Sequence, residues 1–372
     1  MRKIWLSILT MALVGQAYGQ QHIQVMNGSE NNRNELISIP YDKFVSHFAI
    51  DSNFTVKDER GNIILHQLET QGRNYPINLL LQVNLLPKSS VRLLVDNTVS
   101  PVIASKTFAR YVPERYDDFA WENDILAFRV YGKALEGRVD DAQGLDVWSK
   151  RTDQLIIDKW YKMDDYHKDH GEGLDYYSVG QTLGAGEVGL YINDSLQFTK
   201  HYRRYLVLDN GPLRTTFQLD FDTETVEGQE IVMKKIYRLD AGSNFNKVIL
   251  QFDNKEKTST PIAIGVAKRK EENSKISFSK NGINSLTYWE PEINSNGQMG
   301  IGVIVPEKNV RFINDKPEQV LLITQVKNDE DFVYYNGAAW SKAGQVTNQK
   351  EWNRAVESYK ENLKKPLRIE LK

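Results

Sequence analysis

The sequence predicts an all-β protein, a small N-terminal β-sandwich followed by a large antiparallel β-sandwich. Three observations carry this. From about residue 22 to 105, short alternating runs recur roughly every ten residues between turn signals. Beyond Ala109 the alternating runs lengthen, as in LRTTFQLDFDTETVEGQEIVMKKIYRLDAG. Helical periodicity is well signalled once only, near the C-terminus.

The elements follow in order. FTVKDERGNIILHQL reads as a hairpin turning near Gly61 and Asn62, and INLLLQVNLLPKSSVRLLVD as two strands broken at Pro87-Lys88-Ser89. DNTVSPVIASKTF, with Pro101 inside it, reads as a linker. In the second half the long alternating segment turns at Glu227-Gly228, and NKVILQFDN, MGIGVIVPEK and QVLLITQV add strands. Such numbers of long strands argue for a large sandwich. Asn348 stands three residues before Glu351, a capping-box spacing. Trp352, Val356, Tyr359 and Leu363 then share one helical face, Pro366 stops the helix, and LRIEL closes the chain as a strand. The expected organisation is a signal peptide over 1–20, a small sandwich over 21–105 and a large catalytic sandwich over 106–372.

The opening MRKIWLSILTMALVGQAYGQ has a basic start, a short apolar run and a small-x-small cleavage site at Ala17-Tyr18-Gly19. This is the pattern of a cleavable secretory signal, and the run is too short to span a bilayer comfortably. The chain has no cysteine, which excludes disulfides, thiolate chemistry and a lipid-attached export signal. An exported chain of this kind is stabilised by burying a core. The 47 basic and 49 acidic residues are interspersed, giving a net charge of −2 with no basic stripe. Nucleic acid is therefore an unsuitable partner, and no membrane anchor is expected. The composition leaves the oligomeric state open.

Three stretches concentrate chemistry. GAGEVG matches the glycine fingerprint of dinucleotide sites, but LYIND follows it instead of a helix, so it reads as a turn that needs small residues. RYVPERYDDFAWENDILAFRVYG carries Arg110, Glu114, Arg115, Asp117, Asp118, Glu122 and Asp124 around Trp121. Its carboxylates suit a glycosidase pair, its arginines suit a carboxylate ligand, and a loop of surface ion pairs is equally compatible. YHKDHGEGLDYY holds two of the six histidines, His167 and His170, around Lys168. The spacing departs from the zinc-protease pattern, and Lys168 would repel a cation, so no metal or other cofactor is expected; the carboxylates leave room for a structural calcium. Acid–base chemistry suits the histidines, and a tyrosine such as Tyr177 suits it where cations lower its pKa. Trp340, in YYNGAAWSKAG, reads as a sugar platform or as packing.

Together, RYVPERYDDFAWENDILAFRVYGKAL, YHKDHGEGLDYYSVGQTLGAGEVGLY and YYNGAAWSKAGQVTNQKEWNRAV resemble an exported bacterial family, domain-of-unknown-function family 4861, over roughly residues 105 to 370. The resemblance implies a mutarotase-like sandwich in the periplasm. It also implies a carbohydrate-active enzyme that dehydrates uronate-containing, ulvan-type oligosaccharides to an unsaturated uronate. Such elimination needs a base for the proton beside the carboxylate, a cation for the carboxylate and an acid for the leaving hydroxyl. His167, His170, Tyr177 and Arg115 are the catalytic candidates. Arg110, Trp121, Glu122, Lys168 and Trp340 are the substrate-binding candidates. The alternatives are a polysaccharide lyase, a glycoside hydrolase using Glu122 with Asp124 or Glu172, and a non-catalytic glycan-binding protein using its tryptophans.

Overall fold

The computed structural model describes residues 21–50 and 53–372; the segment expected to be a signal peptide, 1–20, lies outside the described residues. The first part is a two-layer β unit. One sheet runs in the order Arg368–Leu371, His22–Met26, Ser90–Asp96, Thr55–Asp58, and the other in the order Arg33–Pro40, Asn78–Leu85, His66–Glu69. Alternation along these strands buries Ile23, Val25, Ile37, Ile39, Leu79, Leu81 and Leu93, and helix α1 (Tyr41–Phe48) adds Phe44 and Phe48. The turn at Gly61 closes with a Lys57–Ile63 bridge. The strands on either side of it nevertheless belong to different sheets, so the expected simple hairpin is a crossing between layers. The last strand of the chain pairs antiparallel with the first, Val25 opposite Ile369.

The remainder packs around one core. A large antiparallel sheet of nine strands spans Arg204–Asn210 to Phe332–Trp340. Two five-stranded sheets lie side by side against it, joined by a Leu145–Gly184 bridge. One contains Ala185–Ile192, Ser259–Ala267 and Gln319–Lys327. The other contains Thr107–Val112, Asp118–Asn123, Leu126–Val130 and Asp146–Lys150. Val188, Ile264 and Leu322 from the first, and Phe119, Trp121 and Phe128 from the second, meet Phe217, Tyr237, Leu250 and Val303 of the large sheet. The Glu227-Gly228 turn has positive φ at both residues (49° and 74°), the twist that suits a two-residue hairpin.

Helix α3 (Gln349–Lys364) lies on the opposite face of the large sheet. Asn348 accepts the Glu351 N–H at 3.1 Å, and Glu351 Oε2 accepts the N–H of Thr347 at 2.8 Å. Trp352 and Val356 pack on Phe245, Trp289 and Ile304. This approach needs Gly300, because a Cβ there would stand 2.8 Å from the rings of both Trp289 and Trp352. Arg33 then ties the helix end to the small sandwich, donating to the Lys365 carbonyl at 2.8 Å. Gly300→Ala is expected to cost about 1–3 kcal/mol through overpacking. A lowered urea midpoint checks this; an unchanged midpoint would show that the helix can lift off the sheet freely.

Candidate active site

The sheet built from Thr107–Val112, Asp118–Asn123, Leu126–Val130 and Asp146–Lys150 positions the site. Pairing sets Ala120 opposite Arg129 and Arg129 opposite Asp146. Side chains alternate across a strand. Phe119, Trp121, Phe128 and Val147 therefore face the main core, while Asp118, Glu122, Arg129, Asp146, Trp148 and Lys150 share the other face. Helix α2 (Ile157–Met163) and the loop to Asp175 cover that second face. Trp148 stacks there between Trp160 (5.7 Å) and Tyr166 (5.1 Å).

Both ends of this covered face carry buried charge. At one end Lys150 donates to Glu122 at 2.8 Å, and both side chains are fully enclosed. Glu122 also accepts the Ile156 and Ile157 N–H groups at 2.8 Å, so it caps α2, which has no side-chain cap of its own. At the other end Arg129 Nη2 donates to Asp146 at 2.5 Å and to Asp175 at 3.1 Å. Asp118 lies 3.8 Å from Arg129 and 3.9 Å from Arg115, within Coulombic reach but beyond a hydrogen bond. Arg115 Nη1, both oxygens of Asp118, Arg129 Nε and Nη1 and the Tyr161 hydroxyl are buried without a hydrogen-bond partner. Native interiors satisfy such groups with protein, water or ligand. These atoms form an enclosed polar cluster that supplies both acceptors and donors.

Burial pushes the Asp118 carboxyl up to about 7, against the pull of Arg129 and Arg115 and with the repulsion of Asp146. Asp175 is pushed well up by burial and by Asp146. Burial also raises the Tyr161 hydroxyl, against Arg129. Asp118 thus holds its proton to near neutrality, Asp175 is pushed in the same direction, and Tyr161 stays a donor.

At the solvent side of this cluster, His167 is 70% and Arg115 27% exposed at the side chain, beside aspartates that are almost fully enclosed. His167 Nδ1 lies 2.9 Å from the Asp175 carbonyl. A carbonyl only accepts, so Nδ1 carries the hydrogen and Nε2 is the basic nitrogen. The His167 ring rests 4.6 Å from Tyr166, and Arg115 interacts with Tyr166 as well as Asp118. His167 and Arg115 therefore share one rim.

The other candidates lie elsewhere or are enclosed. His170 pairs with Asp165 at 3.1 Å on the surface, and Lys168 is exposed. Arg110 is held by Glu114 and Asp158, each at 2.6 Å, and is not open to a ligand carboxylate. The expectation that Trp121, Glu122 and Trp340 meet substrate is corrected. Trp121 is a core residue donating to Asn246 at 2.8 Å. Glu122 is consumed by Lys150 and α2. Trp340 is 1% exposed, donating to the Asn296 carbonyl beneath Arg151. Tyr177 is likewise corrected as a base: burial and the nearby Glu290 raise its hydroxyl, despite Arg269. In GAGEVG, Gly184 has φ 62° and lies so close to Leu145 that a Cβ would meet its carbonyl at 2.1 Å, so the glycine serves a turn.

The sequence reading missed Arg129, Asp146, Asp175 and Tyr161 as members of the site. The available signal was Arg129, a cation inside the fully buried strand LAFRV. A folded state that holds the Asp118 proton up to about 7, while the unfolded chain releases it near 3.8, gains stability that is full below 3.8 and lost as pH rises toward 7. Asp118→Asn should therefore gain stability relative to the parent as pH rises through that window, by about 4 kcal/mol at most. Denaturant unfolding at several pH values measures this; a pH-independent difference would show that Asp118 is ionised throughout.

Comparison with solved structures finds an alpha-mannosidase from Enterococcus faecalis V583 (TM-score 0.50, 8% identity, 95% of this chain and 46% of the other). A protein in glycosyl hydrolase family 38 from Enterococcus faecalis also matches (TM-score 0.51, 10% identity, 95% and 47%). The chain spans about half the length of these structures, and the likeness is one of fold. Among curated proteins, "Uncharacterized protein P7" of Formosa agariphila is 29% identical over 314 residues, 79% of this chain and 78% of the relative. Matched along residues 25–369, the chain belongs to the family described as Domain of unknown function (DUF4861).

Proposed function

We propose that the protein is an exported, periplasmic carbohydrate-active enzyme that eliminates water from the non-reducing-end uronate of ulvan-type oligosaccharides. The observation that supports this reading is the buried cluster of unpartnered polar atoms on Arg115, Asp118, Arg129 and Tyr161, with the exposed His167 beside it. Sugar hydroxyls donate and accept at once, which matches a lining of carboxylate, guanidinium and phenol. The fold shared with proteins titled as a mannosidase and a family 38 glycosyl hydrolase agrees with a carbohydrate substrate.

The roles follow from the environments. Arg115 is the guanidinium open to a uronate carboxylate, because Arg129 is already engaged by Asp146 and Asp175. Neutral His167 takes the C5 proton through Nε2. The electron pair forms the C4–C5 double bond, and the C4–O bond breaks. Tyr161 or protonated Asp118 gives the departing hydroxyl its proton, so that water leaves. Arg115 stabilises the negative charge that gathers on the carboxylate. If a sugar occupies the leaving position, the same groups perform a lyase reaction. The protonated Asp118 beside charged neighbours also favours a second reading, a hydrolase with Asp118 as general acid.

Incubation with ulvan oligosaccharides should produce ultraviolet absorbance from the new double bond and a product lighter by one water. His167→Ala and Arg115→Ala should each lower kcat by about 10²–10⁴-fold, and His167→Ala should leave the unfolding midpoint near that of the parent. A product lighter by a sugar would make the enzyme a lyase. Cleavage without a chromophore would make it a hydrolase, and no reaction on any uronate would reject the proposal.

A further inference from the structure

A cavity of about 380 Å³ opens where the small sandwich, the turn Asp240–Phe245 and helix α3 meet. Asn123 donates to the carbonyls of Asp240 and Ser243 at its wall (2.8 and 2.7 Å). Asp118 stands at the opposite end of that strand, about 17 Å away, so this cavity is separate from the polar cluster.

We propose that this cavity binds a neutral sugar unit, without catalysing a reaction on it. The charged groups in its wall already neutralise each other. Arg33 bonds Glu35 through two nitrogens (2.9 and 2.6 Å), and Arg214 bonds Asp240 in the same way (2.5 and 2.7 Å) while its remaining nitrogen holds Glu69 (3.0 Å). An ionic ligand finds no unspent counter-charge among these pairs. What remains for hydrogen bonding are amides and hydroxyls, on Asn34, Ser358 and Asn362. Asn362 Oδ1 is buried with no donor, and a hydroxyl supplies one. Phe245 and Tyr359, with ring centroids 4.5 Å apart, give the apolar wall on which the C–H face of a sugar ring rests. The volume lies within the range of small-ligand pockets and holds one or two rings. Its walls come from residues near 34, 243 and 362, so it exists only in the fully folded chain. The inference rests on this cavity alone and stands whether or not the polar cluster catalyses elimination.

The test is calorimetric titration of the full chain with rhamnose, xylose, glucose, mannose and the neutral disaccharides of each. At least one should bind saturably, with the same affinity in His167→Ala, and weaken by about tenfold or more in Asn362→Leu. Ser358→Phe, which fills the cavity from the helix surface, should abolish binding while retaining elimination activity or, in its absence, the parent's unfolding midpoint. Three results would overturn the proposal: no saturable binding by any sugar, binding that survives both cavity variants, or binding lost in His167→Ala, which would place the sugar at the polar cluster.

Discussion

A single enclosed guanidinium sets the terms for the site. Arg129 is 3% exposed and faces three carboxyls, Asp118, Asp146 and Asp175, with Arg115 as the only other cation among these five groups. Moving a charge into an interior is costly unless it is paired and hydrogen-bonded. Here the pairing overshoots, since three acids against two arginines leave an excess of negative charge, and a proton removes it. The aromatic rings of Tyr131 and Trp148, 5.1 and 5.2 Å from the guanidinium, add cation–π attraction without adding charge. The strand register that places Arg129 between Ala120 and Asp146 is therefore also what makes the site a proton store.

The cover over this sheet is held at both ends by charge. Glu122 and Lys150 fix the start of α2 from below. Arg110 holds its first turn through Asp158 and lies over the Tyr161 ring at 5.5 Å. Between these anchors, Trp148, Trp160, Tyr161 and Tyr166 form a rigid aromatic layer. The anchoring residues look like binding candidates because they are charged and clustered. Their geometry makes them the frame that holds Tyr161, Tyr166 and the His167 loop in position over the aspartates.

This explains what the sequence could and could not reveal. Helix α3 was legible because its signals are local: Asn348, Glu351 and Pro366 lie within a few residues of its ends. The turn at Glu227-Gly228 was legible for the same reason. The run DDFAWEN, by contrast, reads as a polar loop although Asp118–Asn123 is a buried strand. Alternation shows that its two faces differ, but not that the polar face is dry. That depends on α2, whose seven residues carry no side-chain cap and whose start is held by Glu122, far upstream. His167 and Arg115 were visible as residue types. Their meeting depends on Asp175 and Arg129, which link them only in three dimensions.

The same burial that makes the interior costly divides the acid from the base. A carboxyl or phenol deprived of water holds its proton more tightly, so Asp118 and Tyr161 are proton donors at neutral pH. His167 stands at the surface, where water reaches the ring, and the Asp175 carbonyl commits its Nδ1 to donation. Its Nε2 lone pair is then the basic site facing outward. In the proposed reaction, a substrate at His167 would meet an acceptor on the solvent side and buried donors behind it. The elimination proposed for this protein would require those opposite proton transfers at neighbouring carbons, and the gradient of solvent exposure across this site is consistent with both.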